Sequence, residues 1–164
     1  MMNYICIGKI VNTHGIKGEV RLLSNFKYKN KVFKKGMLIY IGKNKEKEVI
    51  FSYRPHKQFD MITMEGYINI NQVLKYKGMK VYINKEDLIL KEDEYLDEDL
   101  IGLDVMINNK VFGVVKNIEK YPQQNLILVK NSKKEFLIPY VSDIIEEINF
   151  EKRYISIQDI KGLV

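Results

Sequence analysis

Residues 12–21 read NTHGIKGEVR. They hold two glycines three apart, one of the chain's two histidines, and the charged side chains Lys17, Glu19 and Arg21 within five residues. Such a span can cradle phosphate, form a catalytic or metal loop, clamp nucleic acid, or simply turn the chain. A Walker loop needs a Gly-Lys-Ser/Thr ending, and Gly18 is followed by Glu19 and Val20. Gly15-Ile16-Lys17-Gly18 also matches the backbone clamp of KH domains, but that clamp joins two helices and strand-like residues flank this one. What remains is a strand–turn–strand in which Gly15 and Gly18 permit positive φ and close backbone approach. His14, Lys17 and Arg21 then surround the turn, within reach of an anion, and Glu19 can order Arg21 or Lys17. A plain glycine turn with a capping histidine fits the same spacing.

A second basic group, Arg54-Pro55-His56-Lys57, carries the other histidine at another expected strand end. The two groups are expected on one rim of a small barrel; their separation in sequence does not say whether they meet. Other chemistry finds little support. One cysteine and two histidines cannot build a structural zinc site by themselves. There is no Gly-x-Gly-x-x-Gly fingerprint and no nucleophile elbow. No catalytic residue, metal or cofactor is therefore expected. Cys6 lies in the apolar run YICIG and is expected to be a buried, inert thiol.

The elements that must position these residues are short strands. YICIGKIV, GEVRLLS, GMLIYIG, EVIFSYR, DMITMEGY and MKVYIN recur every eight to twelve residues or so, with glycine turns between several of them. NINQVLKYKG predicts one short helix, capped by Asn69 or Asn71 and ended by Gly78. The stretch KEDEYLDED (91–99) holds six carboxylates and marks a join. Beyond it LIGLDVMIN, KVFGVVKNIEKY, NLILVKN, EFLIPYV and YISIQDI again read as strands, and VSDIIEEINF predicts a helical turn capped by Ser142. The expected fold is mainly β: a barrel over 1–87, an acidic linker over 88–98, and a second barrel over 99–164.

Charge follows the same division. Residues 1–87 carry 17 basic and 7 acidic side chains, net +10; residues 88–164 carry 10 and 14, net −4. Basic surface favours phosphate backbones through counterion release, and an acidic domain matches a basic protein better. No run approaches the ~20 apolar residues that span a bilayer, and no secretory signal is evident at Met1 to Lys9. A cytoplasmic, monomeric protein without membrane attachment is expected.

The motif GKIVNTHGIKGEVR (8–21), followed in order by EDEYLDEDLIGLDV (92–105), GVVKNI (113–118) and LIPYV (137–141), resembles the RimM family of ribosome maturation factors. The resemblance implies a six-stranded barrel like the second domain of translation elongation factors, then a PRC-type barrel. It implies a non-catalytic factor that binds the immature small (30S) subunit, contacts 16S rRNA of the head and small-subunit ribosomal protein nineteen, and promotes 16S rRNA maturation. Carried onto this sequence, His14, Gly15, Lys17, Gly18, Glu19, Arg21, Arg54, His56 and Lys57 would face the ribosome. Tyr95 and Leu96 would contact the ribosomal protein. Family members commonly read Glu-Tyr-Tyr-Trp before Asp-Leu-Ile-Gly; here the stretch is Glu94-Tyr95-Leu96-Asp97-Glu98, which keeps only the first aromatic. Two rivals remain: an rRNA-processing enzyme, and a general RNA-binding barrel, which needs exposed stacking aromatics.

Overall fold

The computed structural model describes residues 2–121 and 123–159. The chain divides into two compact units between Lys91 and Glu92.

The first unit contains β1 (Tyr4–His14), β2 (Glu19–Leu23), α1 (Lys29–Val32), β3 (Leu38–Ile41), β4 (Glu46–His56), β5 (Phe59–Met64), α2 (Ile70–Val73) and β6 (Lys80–Asn84). Its strands close into a barrel in the order β1-β2-β5-β4-β3-β6, and β6 returns to β1. Alternation explains the core. Val20 and Leu22 of β2 and Ile62 and Met64 of β5 point inward and are buried, whereas Glu19 and Arg21 occupy the intervening outward positions. The same alternation corrects the expectation for Cys6: with Ile7 buried in β1, Cys6 falls on the outer face and is exposed.

One charge is inside this barrel. Asp60 is buried. Its Oδ1 accepts a 2.6 Å hydrogen bond from the Tyr53 hydroxyl, and Lys29 Nζ lies 2.7 Å from Oδ2 as an ion pair. Burial and this carboxylate push the Tyr53 hydroxyl up to about 12. Of the two candidate caps of α2, Asn69 and Asn71, the structure uses Asn69: its Oδ1 accepts from Gln72 N, and Gln72 Oε1 accepts from Asn69 N. A 3₁₀ turn over Leu74–Tyr76 follows, and Gly78 at φ +85° ends the segment. Leu88 is buried, and Lys31 Nζ donates to the Ile89 carbonyl at 3.0 Å.

The second unit has β7 (Asp104–Ile107), β8 (Lys110–Lys120), β9 (Asn125–Lys130), β10 (Glu135–Pro139), β11 (Ile145–Asn149) and β12 (Tyr154–Ile157). Their order is β10-β9-β8-β7-β12-β11, with β12 parallel to β7 and all other pairs antiparallel. Asn108 and Asn109, both at positive φ, make the two-residue turn between β7 and β8. The core is aliphatic throughout, from Leu100 and Leu103 to Ile155 and Ile157. The helical turn expected within 141–150 is limited to a single turn, and no helix follows it. Residues after Val141 make one turn, and Ile145–Asn149 then pairs with β12 as β11. Ile144, Ile145 and Ile148 satisfy a helical spacing, but pairing with β12 supplies the backbone partners and overrides it. Ile160, expected to end the last strand, lies outside the described residues.

Among the described residues no helix is long and apolar enough to cross a membrane.

Candidate nucleic-acid interface

The turn of the opening motif is built as its glycines require. Gly15 has φ +68° and Gly18 φ +93°. A Cβ at Gly15 would meet nothing within 4 Å, so its demand is conformational alone. A Cβ at Gly18 would also sit 3.3 Å from Asn69 N. The turn is held to the helix beyond it, since Ile70 N donates to the Ile16 carbonyl at 2.9 Å. Ile16 and Lys17 are left exposed at its tip.

Strand order brings the second basic group to the first. Arg21 of β2 is in register with Met61 of β5, and Met61 with Arg54 of β4, so both arginines lie on the outer face astride one residue. Met61 shares that outer face and is fully buried between its neighbours. Arg54 makes a two-pronged pair with Glu19, Nε to Oε2 and Nη2 to Oε1, both at 2.8 Å. Arg21 donates to His14 Nδ1 from Nε at 3.2 Å and from Nη2 at 2.7 Å, and its guanidinium carbon lies 5.4 Å from the centre of the Phe59 ring. The His14 and His56 rings are 5.6 Å apart. Lys57, at φ +56°, occupies the β4–β5 turn and is exposed.

The nine residues singled out in the two basic groups therefore fall on one unit, and His14, Glu19, Arg21, Arg54 and His56 form a connected cluster. Sequence reasoning allowed Glu19 to order Arg21 or Lys17; instead it holds Arg54, 35 positions away. That choice follows from β5 lying between β2 and β4, which no local spacing reveals. The Arg54 hydrogen bond, and then its charge, holds the Glu19 carboxyl below its ordinary range. His56 is shifted down, first by burial and then by Arg54, Lys57, His14 and Arg21. The basic side chains gathered around His56 make this a face suited to negative charge. Phe59, which no sequence signal flagged, supplies a flat surface beside Arg21.

Tyr95 and Leu96 belong to the second unit. Leu96 is only 6% exposed. Its backbone N–H donates to Asp99 Oδ2 at 3.0 Å, opening a 3₁₀ turn over Asp97–Leu100. Tyr95 is half-buried: its ring lies 5.4 Å from that of Phe150, and its hydroxyl accepts from Tyr140 at 3.2 Å. Burial, and then the Tyr95 contact, pushes the Tyr140 hydroxyl well up. The acidic run is thus pinned to its own sheet by these two residues, while Glu92, Asp93 and Glu98 stay exposed. Among the described residues no group of three or more His, Cys, Asp or Glu is arranged to hold a metal ion.

Comparison with known proteins agrees with this two-unit division. The model of the RimM N-terminal domain matches residues 5–88, and that of the RimM PRC barrel domain matches residues 97–163. A protein named ribosome maturation factor RimM from an Exiguobacterium species is 36% identical over 168 residues, covering 99% of this chain and 98% of that protein. Its namesake from Staphylococcus haemolyticus is 40% identical over 163 residues, covering 96% and 97%. That from Bacillus cereus is 33% identical over 171 residues, covering both chains fully. With both halves matched in order and relatives aligned over nearly their whole length, the chain belongs to the RimM family.

Proposed function

We propose that this protein is a non-catalytic assembly factor that binds the immature small ribosomal subunit in the cytoplasm and promotes maturation of its 16S rRNA. The first unit contacts rRNA of the subunit head through the cluster on β1, β2, β4 and β5. The second contacts small-subunit ribosomal protein nineteen through its acidic segment, which Tyr95 and Leu96 hold in place. The carrying observation is the cluster itself: Arg21, Arg54 and Lys57 gathered with two histidines on the outer face of a domain of net +10. Relatives named ribosome maturation factors supply the context in which such a face meets RNA.

Three features favour binding over catalysis. The Glu19 carboxylate is taken by Arg54, His14 Nδ1 is taken by Arg21, and the Phe59 ring beside Arg21 offers no proton acceptor. A general base needs a free acceptor beside the proton it removes, and these acceptors are occupied. The requirement on such a factor is differential affinity for immature over mature particles.

Sedimentation tests the reading. Tagged protein in a cell lysate is expected to travel with immature small subunits and not with mature ribosomes or free tRNA. Precursor rRNA incubated with pure protein and Mg²⁺ is expected to stay full length. Cleavage that disappears when one carboxylate is replaced would establish the enzyme reading instead.

A further inference from the structure

The first barrel has a second basic face, on β3, β6 and the turns beside them, which the cluster described above does not use. A cavity of about 520 Å³ opens there, lined by Gly42, Lys43, Lys75, Met79, Lys80 and Tyr82 among others. That volume lies within the ordinary range for small-ligand sites. Glu46 is the one acidic residue lining it. Among the described residues neither Lys43 nor Lys80 has an ion-pair partner. Lys80 is directly opposite Lys9 in the β1–β6 ladder, an arrangement of like charges that weakens a sheet unless an anion lies near.

Apart from Asn44 and Glu46, the rest of the lining is largely apolar. Met79 is 38% exposed. It packs on Gly42, where a Cβ would come within 2.9 Å of its sulfur, so a side chain at that position would crowd the floor. Tyr82 is half-buried; Lys45 Nζ lies 4.2 Å from the centre of its ring and 5.4 Å from that of Tyr4. Lys75 stands over Tyr76 and Tyr67, at 4.9 and 5.4 Å from the ring centres. Cations already seated on aromatic rings beside an open apolar floor make a platform that accepts both a base and the phosphates attached to it. A metal ion is disfavoured by the lysines, and a purely apolar ligand would strand their charge.

We propose that this cavity holds one unstacked nucleotide of a single-stranded RNA segment, its base against Met79 and Tyr82 and its phosphates among Lys43, Lys75 and Lys80. This rests on the reading of the protein as an rRNA binder and adds a second contact on another face of the same barrel. A strand engaged here and at the His14–Arg21 cluster would be gripped at two places, so the protein would favour RNA segments not yet folded away into helices.

The test uses the full chain and a fluorescently labelled uridine octamer, read by anisotropy across a salt series. A Lys43→Ala, Lys80→Ala double variant is expected to bind about tenfold more weakly, with the salt slope reduced by about 1.4, or ~0.7 for each lost single-strand phosphate contact. Tyr82→Leu is expected to lose about tenfold through stacking, and Tyr82→Phe to bind as the parent does. Both lysines are exposed, so the double variant should fold normally, with circular dichroism as the check. An octamer that fails to bind, or binds the lysine variant as tightly as the parent, overturns the proposal. Uridine monophosphate or polyglutamate competing as well as the octamer also overturns it, in favour of a free nucleotide or an acidic peptide. Sedimentation with immature subunits separates the two levels: if the parent cosediments while octamer binding ignores Lys43 and Lys80, only this site fails; if it does not cosediment, the functional reading itself fails.

Discussion

In the first unit every strand has a neighbour on both sides; in the second, among the described residues, β10 and β11 each have one. A closed ring leaves no backbone edge to pair with, so whatever the first unit recognises must be met by side chains on its outer face or at its ends. That is where its lysines, arginines and histidines are. The second unit must guard two edges. β10 ends at Pro139, which lacks an N–H to offer, and β11 carries the adjacent Glu146 and Glu147. The interiors differ in the same sense. Among the described residues the buried polar ones, Asp60 and Asn84, are both in the first unit, while the second unit's fully buried core is aliphatic. Similar strand counts have thus been fitted to opposite surfaces: net charge is positive where side chains face out from a closed ladder and negative where edges need protection.

The interiors supply the largest expected effect. Asp60→Ala removes a buried carboxylate and leaves the Tyr53 hydroxyl without its acceptor. Lys29 is 37% exposed and recovers water, which reduces the loss. Destabilisation of the first unit by about 2 to 3 kcal/mol is expected. Urea unfolding followed by tyrosine fluorescence and by amide exchange should show protection falling in residues 4–84 and not in 104–157. A uniform loss across both would break the contrast, because it would mean that the two units unfold as one.

Leu96 tests the other side. Truncation of a residue only 6% exposed, Leu96→Ala, is expected to cost the second unit about 2 kcal/mol. Tyr95→Phe removes only the hydroxyl that Tyr140 meets and should cost about 1 kcal/mol. If Leu96→Ala leaves stability unchanged yet abolishes binding to ribosomal protein nineteen in titration calorimetry, Leu96 is a contact residue and not an anchor.

These two residues also show what a sequence can and cannot reveal. Strand positions from Tyr4 to Asn84 were legible because period-two alternation and glycine turns are local. The cap of α2 was legible only as Asn69 or Asn71; the reciprocal bonds with Gln72, three residues on, decide for Asn69. The short helix over Lys29–Val32 was not: it has no side-chain cap and is one turn long, with Val32 buried against the barrel as its anchor. Cys6 was misjudged because an apolar run hides the alternation that Ile7 decides. Leu96 sits among carboxylates, and composition alone makes such a run a solvated linker; only the packed partner, the rest of the second unit, shows that it is fastened. The Glu19–Arg54 pair needed the strand order β2-β5-β4, which is tertiary information.

The exposed cluster gives the next effect in size. Lys17→Glu with Arg21→Glu is expected to weaken binding to immature subunits by about tenfold, near 1.4 kcal/mol. The salt slope should fall by about one unit per lost phosphate contact. A tenfold loss with an unchanged slope would mean that the Arg21 change acts through Phe59 and His14 packing and not through phosphate. No loss at all would make the glycine loop purely structural.

The smallest effect is on pH dependence, and it falls on His56. Its pKa lies below the ordinary 6.5, because of burial first and then the charges of Arg54 and Lys57 on its own hairpin, with smaller contributions from His14 and Arg21 opposite. Glu19, the acidic group facing it, is already neutralised by Arg54. In the free protein the unfolded chain therefore binds more protons than the folded one just below pH 6.5. Stability present above that pH is lost as pH falls through the lowered value. A bound phosphate offsets the surrounding cations and raises the His56 pKa, so RNA binding takes up a proton and affinity rises as pH falls from 7.5 toward 6. The gain expected is about two- to threefold, and His56→Gln should remove it while leaving affinity at pH 7.5 nearly unchanged. Parallel measurements on the second unit's partner contact should show no such rise, since that unit contains no histidine. A pH response that survives in His56→Gln would overturn this assignment of the proton to His56.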